Sequence, residues 1–294
     1  MGSVKSTYLE IIYKYQCKEW GTEPFYIISL SWKTPFEGGL ENERLFWKFG
    51  GGMIRDVYVT TSWDDGYHED LKLVRLLDTY HLKGSFYIPI KSIKSNLTLE
   101  NIRKIARNHE LGAHTVNHVN LIKQSIKNAK YEITQSKIEL EEIIEDEVKM
   151  FCYPYGHYNS KIIQLVKSAG FIGARTVDRL RFDVTDRYQF GTTLQVLMFK
   201  RDLFAAILKI GTRKIIVNFS NWEGYAKLLF DYVLANGGIF SLWGHSWEIE
   251  KYGYWEELEH LFQYITKHSG IHYVTNGELI EKYFNKLNFH ELVV

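Results

Sequence analysis

Two pairs of side chains in this sequence have the types and the spacing of a metal site. Asp64 and Asp65 directly follow a β-branched and aromatic run, and His114 and His118 follow a second, shorter apolar run. One carboxylate and two imidazoles, with a fourth position left to water, form a catalytic rather than a structural zinc site. Adjacent residues at a strand end point in opposite directions, so one aspartate can bind metal while the other acts as a base.

Other chemically active residues also follow strand-like runs. They are the turn Tyr153-Pro154-Tyr155-Gly156, Arg175 and His245. In α/β barrels the active site lies at the carboxyl ends of the strands. We therefore expect these residues to share one site with the aspartates and histidines.

The elements that must position these residues alternate along the chain. Strands are predicted near Val57–Ser62, Gly84–Pro89, Leu111–Ala113, Lys149–Tyr153, Phe171–Thr176, Thr193–Val196, Lys214–Phe219, Gly238–Trp243 and Ile271–Val274. Helices are predicted near Glu69–His81, Thr98–Asn108, Leu121–Glu145, Ser160–Ala169, Arg201–Ile210, Gly224–Asn236, Trp255–His268 and Asn276–Asn285. About eight strand–helix units in sequence indicate a closed or nearly closed parallel α/β barrel.

Residues 1–52 do not share this alternation, and they end in three consecutive glycines. Within them, Tyr8–Gln16 is compatible with a short helix or a strand, and Pro24–Trp32 with a strand. Glycine runs are typical of domain boundaries. We therefore predict a short N-terminal extension over 1–52, followed by one domain over 53–294.

Composition narrows the class of protein. The chain has 294 residues, 45% of them hydrophobic, which is ample for a packed core. Its net charge is +1, from 36 basic and 35 acidic residues, so nucleic acid is not an expected partner. Cys17 and Cys152 give no disulfide framework. No apolar segment has the length of a signal-peptide core or a membrane span, so we expect a cytoplasmic location. The composition does not indicate an oligomeric state.

Four motifs, taken together, resemble the polysaccharide deacetylases of the NodB-homology family, carbohydrate esterase family four. They are Ser62-Trp63-Asp64-Asp65-Gly66, His114-Thr115-Val116-Asn117-His118, Cys152-Tyr153-Pro154-Tyr155-Gly156 and Leu242-Trp243-Gly244-His245. The resemblance runs from Val57 to about Trp247. It implies a distorted parallel (β/α)7-type barrel that hydrolyses N- or O-acetyl groups on sugars with a divalent metal.

The resemblance also implies a role for each matching residue. Asp65, His114 and His118 would bind the metal; zinc is favoured, and cobalt, nickel or manganese are compatible. Asp64 would be the general base and His245 the general acid, while the backbone N–H of Tyr155 would stabilise the oxyanion. For His245 alone, a hydrogen-bonded core histidine is the alternative. His68 and His157 are expected at the rim of the site.

The sequence departs from the family pattern in three places, one of which is the last motif, where Leu242-Trp243-Gly244-His245-Ser246-Trp247-Glu248 replaces a simple Leu-x-His. Cys152 stands where the family has an arginine beside the catalytic base, and the fourth motif, an aspartate with a tryptophan, is not recognisable. Neighbouring parallel strands lie only about 4.8 Å apart. We therefore predict that Arg175, from the next strand, forms the ion pair with Asp64. The alternatives are an exposed arginine or a pair with Asp178 or Asp183.

The expected function is removal of acetyl groups from an N-acetylated sugar or polysaccharide. Two other functions fit the same residues. One is a hydrolase of the same fold that cleaves a C–N bond in a non-sugar amide or cyclic ureide. The other is a carbohydrate-binding module without catalysis.

Overall fold

A computed structural model of this chain describes residues 8–14, 27–33, 56–197, 206 and 221–291. The chain divides into two compact units, Met1–Met53 and Ile54–Val294. In the first unit, β1 (Tyr8–Lys14) pairs antiparallel with β2 (Ile27–Lys33). The run that was compatible with either helix or strand is therefore a strand.

The second unit is built on a parallel sheet. Its strands are β3 (Val57–Asp64), β4 (Gly84–Ile88), β5 (Glu110–Ala113), β6 (Met150–Cys152), β7 (Gly173–Arg175), β8 (Leu194–Gln195), β9 (Gly238–Gly244) and β10 (Ile271–Tyr273). Every residue of β3 is buried, as expected of a parallel strand covered on both faces. The predicted strand near Lys214–Phe219 lies outside the described residues.

The order of the strands brings the two ends of the sheet together. It is β7-β6-β5-β4-β3-β9-β8, and β10 pairs with the first residues of β3. Phe190, just before β8, forms a parallel bridge with Arg175 at the end of β7. The sheet therefore curls around on itself, and the predicted distorted (β/α)7-type barrel is confirmed.

Helices connect the strands. They are α1 (Asp70–Thr79), α2 (Ile90–Ser95), α3 (Leu99–Ala106), α4 (Ile126–Ile144), α5 (Ser160–Ser168), α6 (Trp222–Asn236), α7 (Ser246–Tyr252), α8 (Trp255–Ile265) and α9 (Asn276–Glu291). The short helices α2 and α7 were not predicted, because six or seven residues show too little of the 3.6-residue period. The predicted helix near Arg201–Ile210 lies outside the described residues, apart from Ala206.

The predicted helix over Leu121–Glu145 is in fact two elements. A single 3-10 turn covers Leu121–Lys123, and α4 begins only at Ile126, with Ser125 as its N-cap. Ser125 accepts a hydrogen bond from the backbone N–H of Asn128, which satisfies one of the free donors at the helix start. No helix in the described part of the chain is long and apolar enough to span a membrane.

A polar side chain from the last helix enters the barrel interior. Asn276, the first residue of α9, is fully buried. Its side-chain oxygen accepts a hydrogen bond from the Thr60 hydroxyl (2.7 Å), and its side-chain nitrogen donates one to the Tyr87 hydroxyl (2.9 Å). The Tyr87 ring is thereby held in the middle of the barrel. It packs so closely on Gly112 that a Cβ there would lie 2.4 Å from it. Glycine is required at 112 by this contact, and not by a turn of the backbone.

Candidate active site

The last residue of β3, Asp64, is buried and paired with an arginine. Both carboxylate oxygens accept hydrogen bonds from Nη2 of Arg175. Arg175 reaches Asp64 from β7, where it lies opposite Cys152 in the parallel register with β6. Burial alone would raise the pKa of Asp64, but the Arg175 cation and its hydrogen bonds, together with His114 and His245, outweigh burial and lower that pKa below its ordinary value. The predicted ion pair is therefore present, and it keeps Asp64 ionised.

Arg175 lies in a closed pocket of aromatic rings and sulfur. Its guanidinium carbon is 5.2 Å from the centre of the Tyr87 ring and 4.9 Å from that of Trp243, within cation–π range. The Cys152 sulfur is 2.9 Å from Nη2, and burial raises the thiol's pKa well above its ordinary value. Arg175 itself is 0% exposed. The alternative of an exposed loop arginine is therefore wrong, and Cys152 fills the site as a neutral thiol.

Asp65 turns away from Asp64, toward the two histidines. It has a left-handed backbone (φ 80°), and its Oδ1 lies 3.2 Å from Nε2 of His118 and 3.8 Å from Nε2 of His114. Tetrahedral zinc with bonds of about 2.1 Å separates neighbouring donor atoms by about 3.4 Å. The three side chains thus place one oxygen and two nitrogen donors within 4.8 Å of one another, a group that could hold a metal ion.

The histidine ring nitrogens are prepared for metal binding. Nδ1 of His114 is 2.8 Å from the carbonyl oxygen of Cys152, which can only accept, so Nδ1 carries the proton. Nε2 therefore presents its lone pair to Asp65. Burial lowers the pKa of His114 to about 4 and also lowers that of His118. Neutral imidazoles are the form that binds metal, so the residues present fit a divalent ion.

His245 lies on the other side of Asp65. It is the residue before α7, and its Nε2 is 3.6 Å from Oδ2 of Asp65. Its Nδ1 donates to Oε2 of Glu248 at 2.8 Å. Burial alone would lower the pKa of His245, but this hydrogen bond and the nearby aspartates raise it above its ordinary value. A protonated His245 can therefore present its Nε2 proton to the site.

Glu248 was missed in the sequence. It is 6% exposed, and its partner His245 lies three residues before it. Residues three apart on a helix lie on the same face, so the run His245-Ser246-Trp247-Glu248 carried a usable signal.

Aromatic side chains form the rim. Tyr155 has a left-handed backbone (φ 61°), is 58% exposed and meets the His118 ring edge-on at 4.7 Å. Trp247 lies 5.6 Å from the His245 ring and 6.1 Å from that of Tyr67. The rim therefore offers flat apolar surfaces on both the metal-ligand side and the His245 side. The oxyanion role of the Tyr155 N–H stays a prediction.

The other two histidines near the motifs make contacts away from Asp65. His68 is 75% exposed in its side chain and pairs with Glu69 at 3.1 Å. His157 shares a hydrogen bond of 2.8 Å with Asn120. These positions agree with the expected rim location of both histidines.

Part of the second unit is similar in sequence to known proteins. Residues 54–174 match the family model for polysaccharide deacetylase. Over 108 residues the chain is 24% identical to YlxY of Bacillus subtilis (strain 168), a protein that is itself uncharacterised. That match covers 36% of this chain and 33% of YlxY, so the chain spans about a third of the length of this relative.

Solved structures share the fold. A candidate polysaccharide deacetylase from Mycobacterium smegmatis superposes with a TM-score of 0.60 at 14% identity, over 79% of this chain and 91% of that one. A CE4 family pseudoenzyme from Bacillus anthracis superposes with a TM-score of 0.50 at 14% identity, over 76% of this chain and 66% of that one. At such identities the likeness shows the fold alone. Residues 54–174 are similar in sequence to the polysaccharide deacetylase family.

Proposed function

We propose that this chain is a metal-dependent hydrolase that removes acetyl groups from an N-acetylated sugar or polysaccharide. One observation carries the proposal: the two proton-transfer residues each have a buried partner of opposite charge. Asp64 is paired with Arg175, and His245 is paired with Glu248. Between them lies Asp65, with one oxygen toward the histidines 114 and 118 and the other toward His245.

The metal would be held by Asp65, His114 and His118. A divalent ion with this donor set, zinc by preference, supplies a Lewis acid that activates water and polarises a carbonyl group. The low pKa of His114 keeps its ring neutral and available as a ligand throughout the neutral range. Nδ1 of the same ring is held by the Cys152 carbonyl, and such outer hydrogen bonds fix the orientation of a ligand.

The protein's own groups would move the protons. Asp64, kept ionised by Arg175, takes a proton from the attacking water while the water oxygen bonds to the acetyl carbon. His245 donates its Nε2 proton to the amide nitrogen as the C–N bond breaks, which releases acetate and a free amine. Glu248 fixes the tautomer of His245 and stabilises its cation. The Tyr155 N–H is assigned to the developing oxyanion.

The other two functions are less well supported. The Bacillus anthracis pseudoenzyme has the fold, so the fold alone does not imply catalysis. The two charge pairs support proton transfer, which simple sugar binding does not require. The aromatic rim at Tyr155 and Trp247 suits stacking on sugar rings, which favours a carbohydrate over a small cyclic ureide.

The test combines metal analysis with product release. The purified full chain should contain or bind one zinc per molecule and should release acetate from a panel of N-acetylglucosamine oligomers. Asp64→Asn, which keeps all three metal ligands, should bind the same zinc and release almost no acetate. A zinc-loaded protein that left every acetylated sugar intact but hydrolysed amides or ureides would replace the proposal by the same-fold alternative. A protein that bound the sugars but no metal would replace it by the binding module.

A further inference from the structure

The loop between the two metal-binding histidines has an unfavourable backbone conformation. The backbone of both Thr115 and His118 is in the left-handed region, with φ of 65° and 54°. Residues with a Cβ rarely adopt this region, because Cβ approaches the following carbonyl oxygen. The loop therefore depends on contacts from neighbouring elements to keep His118 in place.

Two sets of hydrogen bonds hold the loop. The carbonyl groups of Thr115 and Val116 accept from backbone N–H groups of α2, at 3.2 and 2.9 Å. The next residue, Asn117, is held from α4: its backbone N–H donates to Oε2 of Glu132 at 2.9 Å, and its side-chain amide donates to Oε1 at 2.8 Å. Both carboxylate oxygens of Glu132 thus accept hydrogen bonds from Asn117, the residue directly before His118.

The position of Glu132 on its helix is unusual for a carboxylate. It lies on the inner face of α4 with Ala129, Ile133 and Ser136, and only 3% of it is exposed. Burying a carboxylate is unfavourable unless it is hydrogen-bonded. The double contact with Asn117, an exposed residue, supplies these hydrogen bonds.

We propose that Glu132 is a positioning residue of the metal site. Its two hydrogen bonds with Asn117 fix the backbone ahead of His118, whose Nε2 lies 3.2 Å from Oδ1 of Asp65. Without these two hydrogen bonds, the loop leaves its strained backbone conformation. Part of the free energy of metal binding must then be spent on restoring that conformation. This inference rests on the proposed function, since it assumes that Asp65, His114 and His118 bind a divalent ion.

Substitution by methionine separates positioning from folding. Glu132→Met removes both acceptor oxygens but keeps a long side chain in an apolar setting, so the fold is expected to persist. The zinc dissociation constant, measured on the full chain by competition with a chelator, should rise about 10- to 100-fold, as it does when outer partners of metal ligands are lost. Glu132→Gln should fall between this variant and the wild type, because an amide oxygen still accepts one hydrogen bond. The matched control is Glu142→Met, an exposed glutamate of the same helix, which should bind zinc like the wild type.

A second measurement does not need the metal. Hydrogen exchange of the segment 114–120 in metal-free protein should be faster in Glu132→Met than in the wild type or in Glu142→Met. The inference is overturned if Glu132→Met, still folded by circular dichroism, has a zinc affinity within about threefold of the wild type or unchanged exchange in this segment. A wild-type protein that binds no zinc while the exchange difference persists would instead contradict the proposed metal site, leaving Glu132 as a support of the loop alone.

Discussion

The base side and the acid side of the site are built in different ways. Asp64 and Arg175 are 111 residues apart, come from two strands and are almost completely buried, with side-chain exposures of 5% and 0%. His245 and Glu248 are three residues apart on one helical turn, with side-chain exposures of 19% and 9%. The contact between the base and its partner therefore forms only when the barrel is assembled, whereas the contact between the acid and its partner needs only one local turn.

This difference has a physical consequence for each pair. A wholly buried ion pair cannot lose one partner without leaving an uncompensated charge away from water. A partly exposed pair can recover some solvation when one partner is removed. We therefore expect the loss of one partner to destabilise the protein more on the base side than on the acid side.

The largest expected effect comes from removing the proton-transfer groups themselves. Asp64→Asn and His245→Ala should each lower turnover on an N-acetylated sugar by about 10²-fold or more, since each removes a general acid or base. Zinc content, measured in parallel, should stay at the wild-type level because Asp65, His114 and His118 are unchanged. Turnover within about tenfold of the wild type in either variant would show that the assigned role is wrong.

Arg175 is the charged partner of the base, and Glu248 is that of the acid. Replacing each of them should lower the free energy of unfolding by different amounts. Arg175→Met should lower the free energy of unfolding by about 3–5 kcal/mol, because Asp64 is left as a buried charge. Glu248→Gln should lower it by about 1 kcal/mol or less, since the amide oxygen still accepts from His245. Urea denaturation of metal-free protein measures both values, with Arg103→Met, at an exposed pair with Glu145, as the control. If Arg175→Met and Glu248→Gln lowered the free energy of unfolding equally, the proposed difference between the base side and the acid side would be wrong.

The sequence allowed much of the base side to be predicted and little of the acid side's support. The Arg175–Asp64 contact followed from strand adjacency, and the register that sets Arg175 opposite Cys152 is what makes it possible. Glu248 and Glu132 belong to helices, where a hydrophobic pattern shows which face is buried but not which polar group a buried carboxylate will meet. Such contacts depend on how elements pack in three dimensions.

A pH-dependent effect on stability is expected from another buried carboxyl group, that of Asp70. The pKa of Asp70, at the start of α1, is raised to about 8, mainly by burial and also by the charges of Asp65 and Glu69, against lowering contributions from Ser246 and His245. Its ordinary value is 3.8, so the folded protein holds this proton more tightly than the unfolded chain. The resulting stabilisation is fully present below about pH 4 and is lost as the pH rises to about 8.

Asp70→Asn should remove this dependence, because an amide does not titrate. The difference in unfolding free energy between Asp70→Asn and the wild type should therefore grow in favour of the variant from pH 4 to pH 8. Thermal or urea unfolding at a series of pH values measures it. A constant difference across this range would show that Asp70 does not carry a shifted pKa.

The most direct test of the two-sided site is the pH dependence of kcat/KM on an N-acetylated sugar, for the wild type, Arg175→Met and Glu248→Gln. Loss of the Arg175 cation should raise the pKa of Asp64, so that the acidic limb of the profile moves to higher pH while the alkaline limb stays. Loss of the Glu248 carboxylate should lower the pKa of His245, so that only the alkaline limb moves, to lower pH. If both variants shift the same limb, or neither shifts a limb, Asp64 and His245 are not the base and acid supported by these partners.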